Sequence, residues 1–510
     1  MPEYSEDRKT VTFVINDAFT WSDGEPVVGD DVVFNIELIK AAIAENASNW
    51  SYYTPGQFPD DLVSATASGN TVTLELENAY NPSYFTQRVL RNLVPLPSTS
   101  WNKSSDDGPA LDFTDPENAR AIYAYLNGAS QVQETFATNP LWQVVNGPFR
   151  ISSFDPATGS HTLVPNEHYT GPNAAAVDTL SFKAFTSADA ILNQLRGGEL
   201  TVALLDPSQV GQLPELERAG YHYYGLPSNG QVNSLFLNFK NTTNNFDKLV
   251  GQHYFREVLQ RLVDQPGYIA SRGIYNGAAA ENYTSTSPNS PFAAAFGPDA
   301  PYPHDLAVAR QILEDHGWDV VEGGVTTCVN PGSGEGQCGE GIDAGQDISF
   351  THFYANSPAT IEARNLAFVS EAKKLGITIE AASRATSFMW DNFDNNFAPD
   401  NVNLWATQDA GPINLGDYPS AGIVWSTDGT FNGGHYSNAE LDALMEASVF
   451  GDDPTALSQE ATLLGEDLPV IFLPNPTNIA VWKSELSGPR EAFAHLPLSE
   501  LLPELWYFTE

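Results

Sequence analysis

The residue types able to do chemistry stand in this sequence without the companions such chemistry requires. Ser100-Trp-Asn-Lys103 has the spacing by which a lysine activates a serine nucleophile in penicillin-binding enzymes. No Lys-Thr-Gly or Ser-Asp-Asn completes that site, so the match reads as chance. Gly334-Glu-Gly-Gln-Cys-Gly339 fits Gly-x-Gly-x-x-Gly, yet no predicted strand leads into it and no helix leaves it, as phosphate binding requires. No Gly-x-Ser-x-Gly elbow, Walker loop or His-Glu-x-x-His occurs. The nine histidines are scattered: His161 and His168 are the closest pair below residue 200, and a whole predicted helix separates His304 from His316. The acidic groups Asp60-Asp61, Asp391 with Asp394, and Asp452-Asp453 lack the spacing of a calcium loop and read as solvated surface charge. No metal and no cofactor is expected. Asn46-Ala-Ser48, Asn241-Thr-Thr243 and Asn282-Tyr-Thr284 are formal glycosylation sequons in a chain so rich in Asn, Ser and Thr that chance accounts for them.

The remaining reactive pair is Cys328 and Cys338, the only cysteines, set in a run of Gly, Ser, Asn and Pro. Two free surface thiols are one reading. A disulfide closing a small surface loop is the expectation, because free thiols in so pliable a segment would be reactive, and an oxidising compartment outside the cytoplasm would follow.

The 510 residues carry 23 Lys+Arg against 64 Asp+Glu, a net charge of −41. Such a field repels phosphate backbones and anionic lipid, which excludes nucleic acid as a partner and peripheral membrane binding. The acidity reads first as an exposed surface suited to solubility or high salt, and second as a cation-attracting cleft. A hydrophobic content of 42% supplies packed cores, and the length suggests about three domains. The most apolar stretches, such as 406–424, are interrupted by Asp409, Pro412 and Asp417, too soon to span a bilayer. The first nine residues lack the order of a signal peptide.

These residues must be positioned by a mixture of strands and helices. Alternation predicts strands at 10–16 and 71–77, with a helix over 29–43 between them behind an acidic N-cap. Residues 146–154 and 161–164, joined through Asp155-Pro-Ala-Thr-Gly159, predict a hairpin. A strand at 177–185, a helix at 187–196 and a strand at 200–205 predict a β-α-β unit. A second such unit is predicted from strand 347–354, helix 359–375 and strand 377–380, after a helix at 305–316. Two short buried strands, 468–473 and 479–482, close the chain.

Several phrases, in order, then fit one family. Trp21-Ser-Asp-Gly-Glu-Pro-Val-Val-Gly-Asp-Asp-Val-Val-Phe34, Asn146-Gly-Pro-Phe-Arg150 with Leu163-Val-Pro-Asn166, Asn233-Ser-Leu-Phe-Leu-Asn238, Arg256 to Asp264, Ala307 to Leu313 with Gly317-Trp318, and Tyr436 to Asp442 resemble the family 5 extracellular solute-binding proteins, the receptors of peptide and nickel ABC importers. Val28-Gly29, Phe149 and Leu262-Val263 depart from the usual residues conservatively. The opening phrase begins at residue 21, whereas family members carry a leader and a strand of the large lobe before it, so an incomplete lobe is expected.

The resemblance implies an α/β, bilobal periplasmic-binding-protein-like fold of class II, cluster C type, with an extra small α/β subdomain. The parts would be an accessory subdomain at 1–145, a large lobe of 146–228 plus 475–510, and a second lobe at 229–474, with chain crossings near 228 and 474. It implies binding without turnover: capture of an oligopeptide or similar polar solute in an inter-lobe cleft, by a monomer that delivers to ABC permease subunits from an extracellular, cell-surface or periplasmic location. A nickel-chelate receptor on the same fold, with His435 as its candidate, and a secreted hydrolase of peptide or glycan are the alternatives. In peptide-binding relatives an aromatic residue is followed closely by an Asp that pairs with the ligand's α-ammonium; Trp405 and Asp409 match, with one extra residue between them. The other reading makes Trp405 core and Asp409 a loop cap. Trp21, Asp23, Gly24 and Asp31 are expected to shape a turn and a helix start rather than meet ligand.

Overall fold

A computed structural model describes residues 1–226, 230–287, 290–296, 301–393, 402–493 and 501–509. Asp394 and the chain crossing expected near 228 lie outside the described residues. The chain divides into two compact units, one of Met1–Thr186 with Val449–Asp452 and Ser484–Glu510, the other of Ser187–Ser448 with Asp453–Lys483. Among the described residues no helix is long and apolar enough to cross a membrane.

In the first unit an antiparallel sheet runs Glu3–Tyr4, Thr10–Val14, Thr71–Leu76, Leu62–Ser68. Helix Gly29–Glu45 is apolar nearly all round because it is buried on two sides. Val32, Ile36 and Ile39 pack with Val11, Val72 and Leu74 of the sheet, while Phe34 and Leu38 meet Ile122 and Leu126 of helix Pro116–Ser130. The helix starts so close to the sheet that a Cβ on Gly29 would lie 2.8 Å from the Ala67 Cβ and 2.9 Å from the Gly69 carbonyl, which is why glycine stands there.

The Trp-Ser-Asp-Gly phrase builds backbone. Gly24 turns the chain at φ +95°. Asp31, in the first helical turn, accepts from the Trp21 indole at 2.9 Å, the Val28 N–H at 3.0 Å, and the Ser98 N–H and hydroxyl at 3.0 and 2.7 Å. Ser100, of the Ser-x-x-Lys match, donates its hydroxyl to Asp23 at 2.7 Å.

The hairpin forms as Phe149–Phe154 against His161–Pro165, its turn tied by Asp155 accepting from the Ala157 N–H and Thr158 hydroxyl. The β-α-β unit predicted over 177–205 does not form. Strand Leu180–Phe182 pairs with the hairpin instead, and Val202–Leu205 pairs antiparallel with Ile479–Lys483 in a sheet that also holds Tyr221–Gly225. Helix Ala188–Arg196 forms as predicted, capped by the Ser187 hydroxyl, but it joins strands of two different sheets.

The second unit is organised by a sheet in the order Thr378–Arg384, Ser349–Ala355, Thr407–Asp409, Gln231–Leu237, Ile413–Asn414, with Val470–Leu473 pairing to Gln231–Leu237. Here the predicted β-α-β unit is present: Ser349–Ala355 and Thr378–Arg384 run parallel, joined by helix Ala359–Lys374. Glu362 in the first turn and Lys373 and Lys374 in the last complement the helix dipole, and Gly376 at φ +66° releases the chain.

Cys328 and Cys338 form a disulfide with their Cα atoms 6.1 Å apart. It is not a surface staple. The cysteines are 1% and 0% exposed and belong to the core that includes Leu313, Trp318 and Phe350.

Candidate functional site

The second unit buries an unusual density of polar side chains on one helix and one strand. Helix Ala359–Lys374 packs Ile361 and Phe368 into the core, and between them, on the same face, stand Arg364 and Asn365. Strand Thr407–Asp409 lies parallel to Ser349–Ala355, pairing Thr407 with His352 and Asp409 with Tyr354. Strand alternation therefore turns His352, Thr407 and Asp409 to one face.

Asp409 is 0% exposed, and its oxygens are fully engaged. One accepts from Arg364 Nε at 2.8 Å and Asn365 Nδ2 at 2.6 Å; the other accepts from Arg364 Nη2 at 2.6 Å and the Gly411 N–H at 3.2 Å. The fork-to-carboxylate geometry is the strong form of this pair. Arg364 also donates through Nη1 to the Tyr275 hydroxyl at 2.8 Å and to Asn233 Oδ1 at 3.3 Å. Burial opposes the guanidinium charge, and Asp409 and then Tyr275 more than offset it, so the pKa of Arg364 is raised. Burial raises the Tyr275 phenol as well, against Arg364.

His352 extends the network. Asn365 spends both amide hydrogens on Asp409 and the Ile361 carbonyl, so its Oδ1, 2.8 Å from His352 Nε2, is an acceptor and that nitrogen carries the proton. His352 Nδ1 then accepts from the Thr407 hydroxyl at 2.8 Å. Burial lowers the His352 pKa and holds the imidazole neutral. The chain Thr407, His352, Asn365, Asp409, Arg364 thus holds one buried positive and one buried negative charge, fixed by neutral neighbours.

Trp405 is fully buried, stacked 6.3 Å from Phe393 between ring centroids, and its indole nitrogen has no hydrogen-bond partner among the described residues. It precedes the strand that carries Asp409. The two predicted site residues therefore lie on one short segment but in different surroundings, Asp409 in the polar network and Trp405 among aromatic rings. Sequence reasoning missed Arg364, Asn365, His352 and Tyr275; the available signal was an adjacent Arg-Asn pair in the apolar stripe of a predicted helix. His435 is buried with φ +55°. Among the described residues no group of three or more His, Cys, Asp or Glu is arranged to hold a metal ion. Asn241 and Asn282 of the sequons are buried, their amides donating to the carbonyls of Trp405 and Thr284.

A profile of bacterial extracellular solute-binding proteins, family 5 Middle, matches residues 2–431. Protein XP55 of Streptomyces lividans is 24% identical over 467 residues, covering 89% of this chain and 70% of that one. The probable D,D-dipeptide-binding periplasmic protein DdpA of Escherichia coli K12 is 23% identical over 460 residues, covering 89% and 73%. Among solved structures, the oligopeptide-binding protein AppA of Bacillus subtilis, in complex with a nonapeptide, superposes with a TM-score of 0.75 at 19% identity, covering 100% of this chain and 89% of that one. NikA of Brucella suis, in complex with Fe(III)-EDTA, gives 0.72 at 16% identity, covering 100% and 90%. These likenesses establish the mixed α/β fold, and the named roles among them are binding rather than catalysis. The chain belongs to the family 5 bacterial extracellular solute-binding proteins and is a binding protein, not an enzyme.

Proposed function

We propose that the protein captures an oligopeptide or similar polar solute for an ABC importer, with Asp409 meeting the ligand's α-ammonium and Trp405 lending apolar contact. The observation that carries this reading is the Asp409–Arg364 pair, a carboxylate and a guanidinium held side by side among neutral hydrogen-bonding groups. A zwitterionic peptide offers the complementary charges: its ammonium to Asp409 and its carboxylate to Arg364. The exchange replaces an internal ion pair with two external ones and leaves no buried charge unpaired.

In this reading the chain works in three parts, 1–145, 146–228 with 475–510, and 229–474. The pairing of Ile479–Lys483 with Val202–Leu205 and Tyr221–Gly225 supports joining the C-terminal strand to the segment before 228. The protein acts as a monomer outside the cytoplasm, at the cell surface or in the periplasm, and hands its ligand to membrane permease subunits.

Isothermal titration of the purified protein with a pool of two- to nine-residue peptides, and separately with nickel chelates, tests this. Saturable peptide binding with every peptide recovered intact by mass spectrometry is the expected result. Binding of chelates alone, or cleavage of any peptide, would overturn it.

A further inference from the structure

The face of the central sheet opposite His352 and Asp409 carries a second set of buried polar atoms, which peptide termini at Asp409 and Arg364 leave unexplained. Gln408 lies there beside its ladder neighbours Phe236 and Phe353, with Ser234 two residues before Phe236. The Gln408 amide nitrogen, the Trp405 and Trp425 indole nitrogens and the Ser234 hydroxyl are all buried without a hydrogen-bond partner among the described residues. Trp405, Trp425, Phe236 and Phe353 share one apolar cluster. Burial of unpaired donors is costly, and native structures hold few.

A line of rings runs from these atoms to the surface. Phe393 lies 5.0 Å from Phe236 and 6.3 Å from Trp405; Trp390 lies 5.5 Å from Phe393 and is 37% exposed. Trp390 stands on the short helix Thr386–Asp391, whose Phe388 has the Arg384 guanidinium 5.8 Å from its ring. Arg384 also lies 4.5 Å over the Phe353 ring. Among the described residues its guanidinium donates one hydrogen bond, to the Ser383 carbonyl, and forms no ion pair. In a chain of net charge −41, a guanidinium with no ion pair among the described residues is conspicuous. The two indoles, the Gln408 amide nitrogen and the guanidinium are all donors, and the Ser234 hydroxyl can donate too.

We infer that this aromatic face is a specificity site for an acidic side chain of the bound peptide, whose carboxylate meets Arg384 and accepts from the Gln408 amide across the Phe353 ring while its apolar stem lies along the neighbouring rings. The inference rests on the peptide-binding reading above. It is tested by titrating the tripeptides Ala-Glu-Ala, Ala-Gln-Ala and Ala-Lys-Ala into the parent protein, Gln408→Leu and Arg384→Gln. The parent should prefer Ala-Glu-Ala over Ala-Lys-Ala by about ten-fold or more. Gln408→Leu should weaken Ala-Glu-Ala about ten-fold without lowering the melting temperature, and Arg384→Gln should erase the preference for Glu over Gln. A Gln408→Leu protein that melts higher and binds Ala-Glu-Ala like the parent would reveal a simple core orphan and overturn the inference, as would an Arg384→Gln protein that keeps the preference. Equal binding of all three tripeptides removes the specificity site alone; binding of none removes the peptide reading with it.

Discussion

Replacing Asp409 by Asn removes one charge and almost no volume, yet the geometry makes it a severe change. The carboxylate accepts four hydrogen bonds, from Arg364 Nε, Arg364 Nη2, Asn365 Nδ2 and the Gly411 N–H. An amide keeps one oxygen, and its NH2 must point at two of those donors whichever way it is turned. Arg364, 3% exposed, is left as a buried cation without a counter-charge. Breaking a buried pair from one side costs about 3–5 kcal/mol. At about 2–4 °C per kcal/mol for a unit of a few hundred residues, the melting temperature should fall by roughly 6–20 °C. Arg364→Met should cost a similar amount, whereas Asp409→Asn combined with Arg364→Met should recover much of the loss, with a coupling energy of at least about 2 kcal/mol. Calorimetric melts of the four proteins at pH 7 read this directly. A single Asp409→Asn protein within about 2 °C of the parent, or a double variant whose loss is the sum of the singles, would refute the assignment of a tight buried pair.

Three further outcomes follow from the buried polar groups and the disulfide. Burial holds the His352 pKa below its usual 6.5, so the stability present above that value should drain away as pH falls towards the lowered folded value, by up to about 1.4 kcal/mol per pH unit. Urea midpoints between pH 7 and 5 should be flatter in His352→Gln, and an unchanged slope would count against this. Asp61, read from the sequence as surface charge, is buried, and burial raises its pKa, so its charge weighs against the fold once pH climbs through the folded value; Asp61→Asn should stabilise at pH 7, with the gain gone near pH 3, and a loss at pH 7 would contradict it. Replacing both Cys328 and Cys338 by Ser should cost about 2–3 kcal/mol through loop entropy alone, measured by denaturant unfolding; a change below about 0.5 kcal/mol would argue against that contribution.

The periodic elements were legible because their apolar residues repeat at the helix or strand period. Helix Gly29–Glu45 and the Ser349–Ala355, Ala359–Lys374, Thr378–Arg384 unit are local patterns ended by glycine or capped by acid. Strand partnership was less legible. Leu180–Phe182 and Val202–Leu205 have the spacing of a crossover pair, but the partner of the second lies some 275 residues on, at Ile479–Lys483, and no local pattern can report it. The polar network was hidden for the same reason, since His352, Arg364 and Asp409 come from three elements brought together by the parallel sheet. Trp405 and Asp409 could be picked out by type, but their four-residue spacing could not show that one sits among rings and the other in a charge network, because the strand begins only at Thr407.

The burial of the cysteines makes oxidation a matter of timing. Thiol exchange needs a thiolate or an oxidant to reach sulfur in line, and here both sulfurs are packed beneath the Leu313 and Trp318 side chains' cluster with no exposed edge. Bond formation therefore has to come before this region closes over it. Protein produced in a reducing host would carry the thiols sealed inside, slow to oxidise in air, whereas oxidised protein would withstand glutathione for as long as it stayed folded. The two preparations would be distinct species with different shelf lives, and the redox history of a sample would be recorded in its core.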